Sequence, residues 1–156
     1  MTIHFICRGN VLRSLIAETY LKSLQLPNIT VLSSGTGVDF FGDSDTPYFN
    51  RTVQLLKAHD MADYIKSHPE QLTQERLKNS DVIILMNQRV VSDAEKIVTL
   101  PAYFQVWEIT DIGEGTRIEK IENGREVEEV IFDEIIYKVD ALASSIKTDQ
   151  AFLQQP

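Results

Sequence analysis

Residues Asp81-Val82-Ile83-Ile84-Leu85-Met86 form a continuous, β-branched apolar run. Such a run offers water no polar face, so as a strand it must be covered on both sides. Ile3-His4-Phe5-Ile6-Cys7 has the same character, and Ile29-Thr30-Val31-Leu32-Ser33 is β-branched at three of its five positions. Tyr103 to Ile109 reads as a fourth strand. Between these runs the spacing turns helical. After Arg13, residues Ile16, Ala17, Tyr20, Leu21 and Leu24 share one stripe, and Val53, Leu55, Leu56 and Ala58 place a helix from Pro47 to about His59. Pro69 to about Lys78 reads as a short helix with Leu72 and Leu77 inward. Val90, Val91, Ala94, Ile97 and Val98 give an amphipathic helix over 88–98, and a last helix runs from about Phe132 to Ile146. Strands alternating with helices predict an α/β fold: one domain, residues 1–156, on a four-stranded parallel sheet with helices on both faces.

Two stretches fit neither pattern. The segment GTGVDFFGDSDTP after the second strand reads as a loop. Gly113 to Glu129 is charged and reads as a surface insertion, with Asn123-Gly124 inside it as a two-residue hairpin signal.

Charge and cysteine content narrow the function. Across 156 residues, 23 acidic against 15 basic side chains leave a net charge of −8. A nucleic-acid binder needs a basic face, so nucleic acid is excluded as a partner. Any anion site must work locally against the overall field. No apolar run approaches the ~18 residues of a membrane span. No basic-then-apolar leader opens the chain, so a cytoplasmic location is expected. The single cysteine, Cys7, excludes an internal disulfide and a cysteine-rich zinc site.

That cysteine opens Cys7-Arg8-Gly9-Asn10-Val11-Leu12-Arg13-Ser14, which leads from a strand into a helix. Backbone N–H groups without intrahelical partners converge there, and the helix dipole favours negative charge. Gly9 and Asn10 tolerate the left-handed backbone that curls amides inward. A cysteine at the mouth of such a nest should have a lowered pKa. Arg13 can grip two phosphate oxygens, and Ser14 can donate to the sulfur. This is the physics of phosphoryl transfer through a cysteinyl-phosphate. The competing reading of a lone cysteine is a small buried hydrophobe, and the strand–loop–helix context weighs against it.

IHFICRGNVLRSLIAE resembles the N-terminal signature of the low-molecular-weight protein tyrosine phosphatases: Cys, five residues, Arg, then Ser or Thr. The likeness continues in order through Ser33-Ser34-Gly35-Thr36, Gly42, Pro47, Gln71-Leu72-Thr73, Ser80 to Met86, and Phe132-Asp133-Glu134-Ile135. The resemblance implies a phosphatase-like domain acting on phosphotyrosine-containing proteins or other aryl phosphates, with no metal and no cofactor. It implies Cys7 as nucleophile, Arg13 as phosphate clamp and Ser14 as the thiolate's hydrogen-bond partner. Arg8, Gly9, Asn10, Val11 and Leu12 would line the oxyanion, with Asn10 and Ser33 bracing the loop. The family's general acid, an aspartate after strand four, falls at Asp111.

The departures carry expectations of their own. Ile112 stands where the family has proline, and Thr46 where it has the aspartate of Asp-Pro. Asp39 falls where a pocket-lining tryptophan is frequent, leaving Phe40 or Phe41 as the expected aromatic wall. Arg8 is expected at the pocket mouth, favouring acidic flanks. Two other functions fit the same loop. One is a phosphotyrosine- or anion-binding module with a weakened acid loop. The other is a relative of the arsenate reductases, which need further cysteines that this sequence does not supply.

Overall fold

The first apolar run becomes β1 (Thr2–Cys7), and the rest of the sheet is built outward from it. The computed structural model describes residues 1–112 and 126–153. After β1 come α1 (Arg13–Ser23), β2 (Thr30–Gly35), α2 (Val38–Phe41), α3 (Thr46–Ala58) and α4 (Gln74–Lys78). Then follow β3 (Val82–Leu85), α5 (Gln88–Ala94), β4 (Gln105–Val106) and α6 (Val127–Leu153). Single turns of 3-10 helix occupy Gly42–Asp45 and Ala62–Tyr64. The strands lie in the order β2-β1-β3-β4 and every pairing is parallel, as the alternation predicts.

The period of two along β1 divides the interior. Ile3, Phe5 and Cys7 point to one face, where Leu15 and Ile16 of α1 and Ile135 and Val139 of α6 cover them. Ile6 points to the other, against Leu77 of α4 and Val90, Val91 and Ala94 of α5. β3 is shared in the same way, with Ile84 in the first cluster and Ile83 and Leu85 in the second. Burying each such side chain is worth roughly 1.5–3 kcal/mol, so a strand apolar at every position is stable only between two helical layers.

Five elements differ from the sequence reading, α5 among them, which ends at Ala94 rather than at residue 98. The helix expected from Pro69 shrinks to α4, because residues 70–72 are drawn to the sheet: Gly35 N donates to Glu70 O at 2.9 Å and Leu72 N to Gly35 O at 2.8 Å. Thr73 then caps α4 by accepting from Arg76 N at 3.3 Å. The loop after β2 contains α2 and a 3-10 turn. The fourth strand is short because Glu108 takes a left-handed φ of 55°, which breaks the ladder after Val106. Two further bonds continue the contact, Trp107 N to Leu85 O at 3.0 Å and Ile109 N to Met86 O at 2.7 Å. Finally, α6 starts at Val127 rather than Phe132. Val127, Ile131, Ile135, Val139 and Ala143 recur every fourth residue and are all buried, which extends the apolar stripe into the expected insertion. The Asn123-Gly124 hairpin lies outside the described residues. Among the described residues no helix is long and apolar enough to cross a membrane.

His4 sits in β1 with no exposed surface, its ring between Ser34 Oγ at 2.7 Å and Ser80 Oγ at 3.1 Å. Burial, reinforced by the charges of Arg76 and Lys66 and opposed by Glu70, pushes its pKa down to about 4. The unfolded chain takes up that proton near pH 6.5, the folded chain only near 4. Protonation therefore favours unfolding as the pH falls through this window, and roughly 3 kcal/mol of stability is lost across it. Urea unfolding at pH 7 and pH 4.5 checks this: wild type should lose stability over the interval, and His4→Gln should lose less.

Candidate active site

The chain leaves β1 at Cys7, turns back through Arg8 to Leu12, and enters α1 at Arg13. The turn is possible because Asn10 adopts a φ of 55°, which asparagine tolerates better than most residues. In that conformation Asn10 N points at Cys7 Sγ, 3.2 Å away. Ser14 Oγ lies 2.9 Å from the same sulfur. Asn10 Nδ2 reaches Ser14 Oγ at 2.8 Å and Ser33 Oγ at 2.7 Å. Asn10, Ser14 and Ser33 have no exposed surface, and Cys7 has 3%.

Beside the loop lies a cavity of about 240 Å³. Cys7, Arg13 and the loop residues Arg8, Gly9, Val11 and Leu12 line it together with Tyr48, Asp111 and Ile112. Arg13 is almost fully buried; its Nη1 donates to Ile109 O at 3.1 Å and its Nη2 is paired with the Asp111 carboxylate. Asp111 Oδ1 accepts in turn from Ile112 N at 2.9 Å. Residues 107–111 can reach Arg13 because Glu108 kinks the chain after β4 and Trp107 is anchored on Phe5, with ring centroids 5.4 Å apart.

Of the side chains singled out from sequence, the fold brings Cys7, Arg8, Arg13 and Asp111 to one cavity, together with Gly9, Val11 and Leu12. Asn10 and Ser14 stand behind the sulfur rather than on the cavity surface. Phe40 is not brought in: it sits on α2 with 85% of its surface exposed, outside the lining. The aromatic wall is Tyr48 instead, because α3 begins immediately before Pro47 and its first turn faces the cavity. Sequence reasoning also missed Glu18 and Lys66, buried charged groups behind the loop. Helical spacing on α1 places Glu18 one turn after Ser14, at i and i+4, but nothing local in the chain points to Lys66.

β2 presses on the loop from below. Thr36 N donates to Cys7 O at 3.0 Å and Gly37 N to Arg8 O at 2.9 Å. A Cβ on Gly35 would lie 2.6 Å from Arg8 O and 2.9 Å from Asn10 N, both backbone atoms of the loop. Gly35→Ala should therefore displace the loop, costing about 1–3 kcal/mol in chemical unfolding and weakening vanadate binding at least tenfold in a titration.

Residues 2–151 match the family model described as low molecular weight phosphotyrosine protein phosphatase. No curated protein matches the sequence. Among solved structures, the chain is similar to Vibrio vulnificus Wzb in complex with benzylphosphonate, at 21% identity and a TM-score of 0.70 over 92% of this chain and 97% of that one. It is similar to the YwlE arginine phosphatase from Geobacillus stearothermophilus, at 21% identity and 0.65 over 99% and 98%. It is also similar to a low molecular weight protein tyrosine phosphatase from Bacillus subtilis, at 18% and 0.68 over 96% and 99%.

Proposed function

This chain belongs to the low molecular weight phosphotyrosine protein phosphatase family, and on that premise we propose that it hydrolyses aryl phosphates, above all phosphotyrosine in proteins, through a phosphoryl-cysteine on Cys7. The observation that carries the reading is the meeting of three groups on one cavity: a sulfur hydrogen-bonded to Asn10 N and Ser14 Oγ, a buried guanidinium and a carboxylate. The oxyanion enters over Cys7, and its oxygens take over the Arg13 hydrogen bonds that Asp111 occupies. Asp111 is thereby released toward the leaving group. Cys7 Sγ attacks phosphorus as the P–O(aryl) bond breaks, and Asp111, which takes up a proton from solvent once Arg13 has left it, delivers that proton to the departing phenol oxygen. In the second half, Asp111 accepts a proton from water, the water oxygen bonds to phosphorus, and the S–P bond breaks to return the thiolate and free phosphate. Arg13 and the amides of the first turn of α1 hold the charge that gathers on the phosphoryl oxygens.

Tyr48 supports an aryl substrate. Its ring lines the cavity while 46% of the residue stays exposed, leaving a π-face for a phenyl group. Arg8 lines the same cavity and favours acidic flanks. A disulfide relay of the arsenate reductase kind has no second cysteine in this sequence.

Hydrolysis of para-nitrophenyl phosphate with EDTA present, across roughly pH 5 to 8, tests the reading. Cys7→Ser should abolish turnover, and Asp111→Asn should lower kcat by about 10²–10⁴. Vanadate binding without turnover would make the protein an anion-binding module, and turnover surviving loss of Cys7 would sink the mechanism. Tyr48→Ala should raise KM for para-nitrophenyl phosphate by roughly tenfold, with Tyr48→Phe close to wild type. Faster phosphate release from a phosphoarginine peptide than from its phosphotyrosine counterpart would reassign the substrate.

A further inference from the structure

We propose that Glu18 and Lys66 are positioning residues that fix the direction of the hydrogen-bond chain ending on Cys7, so that the sulfur only receives hydrogen bonds. The inference rests on the reading of Cys7 as nucleophile and follows from counting protons. Glu18, on α1, is 3% exposed; its Oε1 takes a hydrogen bond from Lys22 Nζ at 2.6 Å and its Oε2 one from Ser33 Oγ. A carboxylate accepts and cannot donate, so the one hydroxyl proton of Ser33 is committed to Glu18. Ser33 Oγ is left to accept, from Asn10 Nδ2 at 2.7 Å and Lys66 Nζ at 3.2 Å.

Lys66 fixes the other end of the Asn10 amide. Its ammonium is 3.3 Å from Asn10 Oδ1, where Glu70 N also donates at 2.9 Å. An inverted amide would set its NH2 against two donors, so the inversion is forbidden by the ammonium and the Glu70 N–H together. Both protons of Asn10 Nδ2 are then committed, one to Ser33 Oγ and one to Ser14 Oγ at 2.8 Å. Ser14 Oγ must accept there, and its own proton turns to Cys7 Sγ at 2.9 Å. The alternative acceptor, Ser34 O, is 3.5 Å away. With Asn10 N donating as well, the sulfur faces two donors, the surroundings of a thiolate.

The ammonium is itself pinned. Lys66 is 10% exposed, donates to Ser33 O at 2.8 Å, and pairs with Glu18 at 3.2 Å and Glu70 at 2.7 Å. Burial alone would raise the Glu70 pKa, but hydrogen bonds from Lys66 and Arg76 outweigh it and hold the carboxyl below the ordinary glutamate value. Lys66 thus stands between two carboxylates, with Glu70 keeping it from collapsing onto Glu18 alone.

The single cysteine makes the test direct, since every alkylation event reports on Cys7. The rate of iodoacetamide modification of the full chain is followed against pH for wild type, Lys66→Met, Glu18→Gln, the double variant and Lys66→Arg. The single variants should react about tenfold more slowly at pH 6, with the midpoint of the profile moved up by about one pH unit. Lys66→Arg should recover most of the wild-type rate. The double variant removes both members of the Glu18–Lys66 pair together, so it keeps the test valid if a single variant fails to fold. Variants that fold but leave the midpoint where wild type has it, whatever they do to Tm, overturn the proposal. A wild-type thiol titrating like free cysteine, together with turnover that survives Cys7→Ser, would instead sink the underlying reading of Cys7.

Discussion

Asn10 holds a backbone conformation that costs a non-glycine residue roughly 1–2 kcal/mol, and its own side chain offsets the cost. The amide makes close contacts with Ser14, Ser33 and the Glu70 N–H, all within 2.9 Å. At roughly 0.5–1.5 kcal/mol each, these bonds outweigh the left-handed strain. The balance has geometric consequences. The turn at Asn10 directs its N–H at Cys7 Sγ, lets α1 begin at Arg13, and brings β1, β2 and the chain at Glu70 to bear on one loop. Without it the sulfur at the end of β1 would lose the Asn10 N–H as a partner.

An anion site in a chain of net charge −8 looks unfavourable until distance is considered. Exposed carboxylates more than about 8–10 Å away are largely screened at physiological salt. Buried groups at contact distance are not. Near the sulfur the balance is set by Arg13 and the first turn of α1, with Asp111 as the one carboxylate on the cavity wall among the described residues. Asp111 pairs with that guanidinium, so the local field at the cavity is set by groups in contact and not by the net charge of the chain.

The legible parts of the protein were those whose signal is local. The spacing from Cys7 to Ser14 lies within one strand–loop–helix unit, and the continuous apolar runs of β1 and β3 state their own need for two covering layers. What escaped depends on distant partners. Residues 70–72 are compatible with a helix, but Gly35 offers them backbone bonds across the fold. Phe40 and Tyr48 are equally aromatic neighbours in sequence, and only the direction in which α2 and α3 leave the loop separates a solvent-facing ring from a wall of the cavity. Lys66 looks like any surface lysine until Ser33 and Asn10 are seen to bring it their oxygens.

Ile112 shows how a departure from a family pattern can carry its own solution. Where the family has proline, rigidity after the acid comes from a ring that fixes φ and removes a donor. Ile112 keeps the donor, and its N–H holds Asp111 Oδ1 at 2.9 Å while Arg13 takes the other oxygen. The carboxylate is therefore oriented by a hydrogen bond a proline could not make. That bond is local and does not depend on the Arg13 ion pair, so two separate contacts orient the carboxylate. Glu108, with its left-handed backbone, and Trp107, its ring tilted against Phe5, place the whole segment. The acid loop thus derives its order from one backbone amide, one kink and one buried ring, in place of the ring constraint that its sequence lacks.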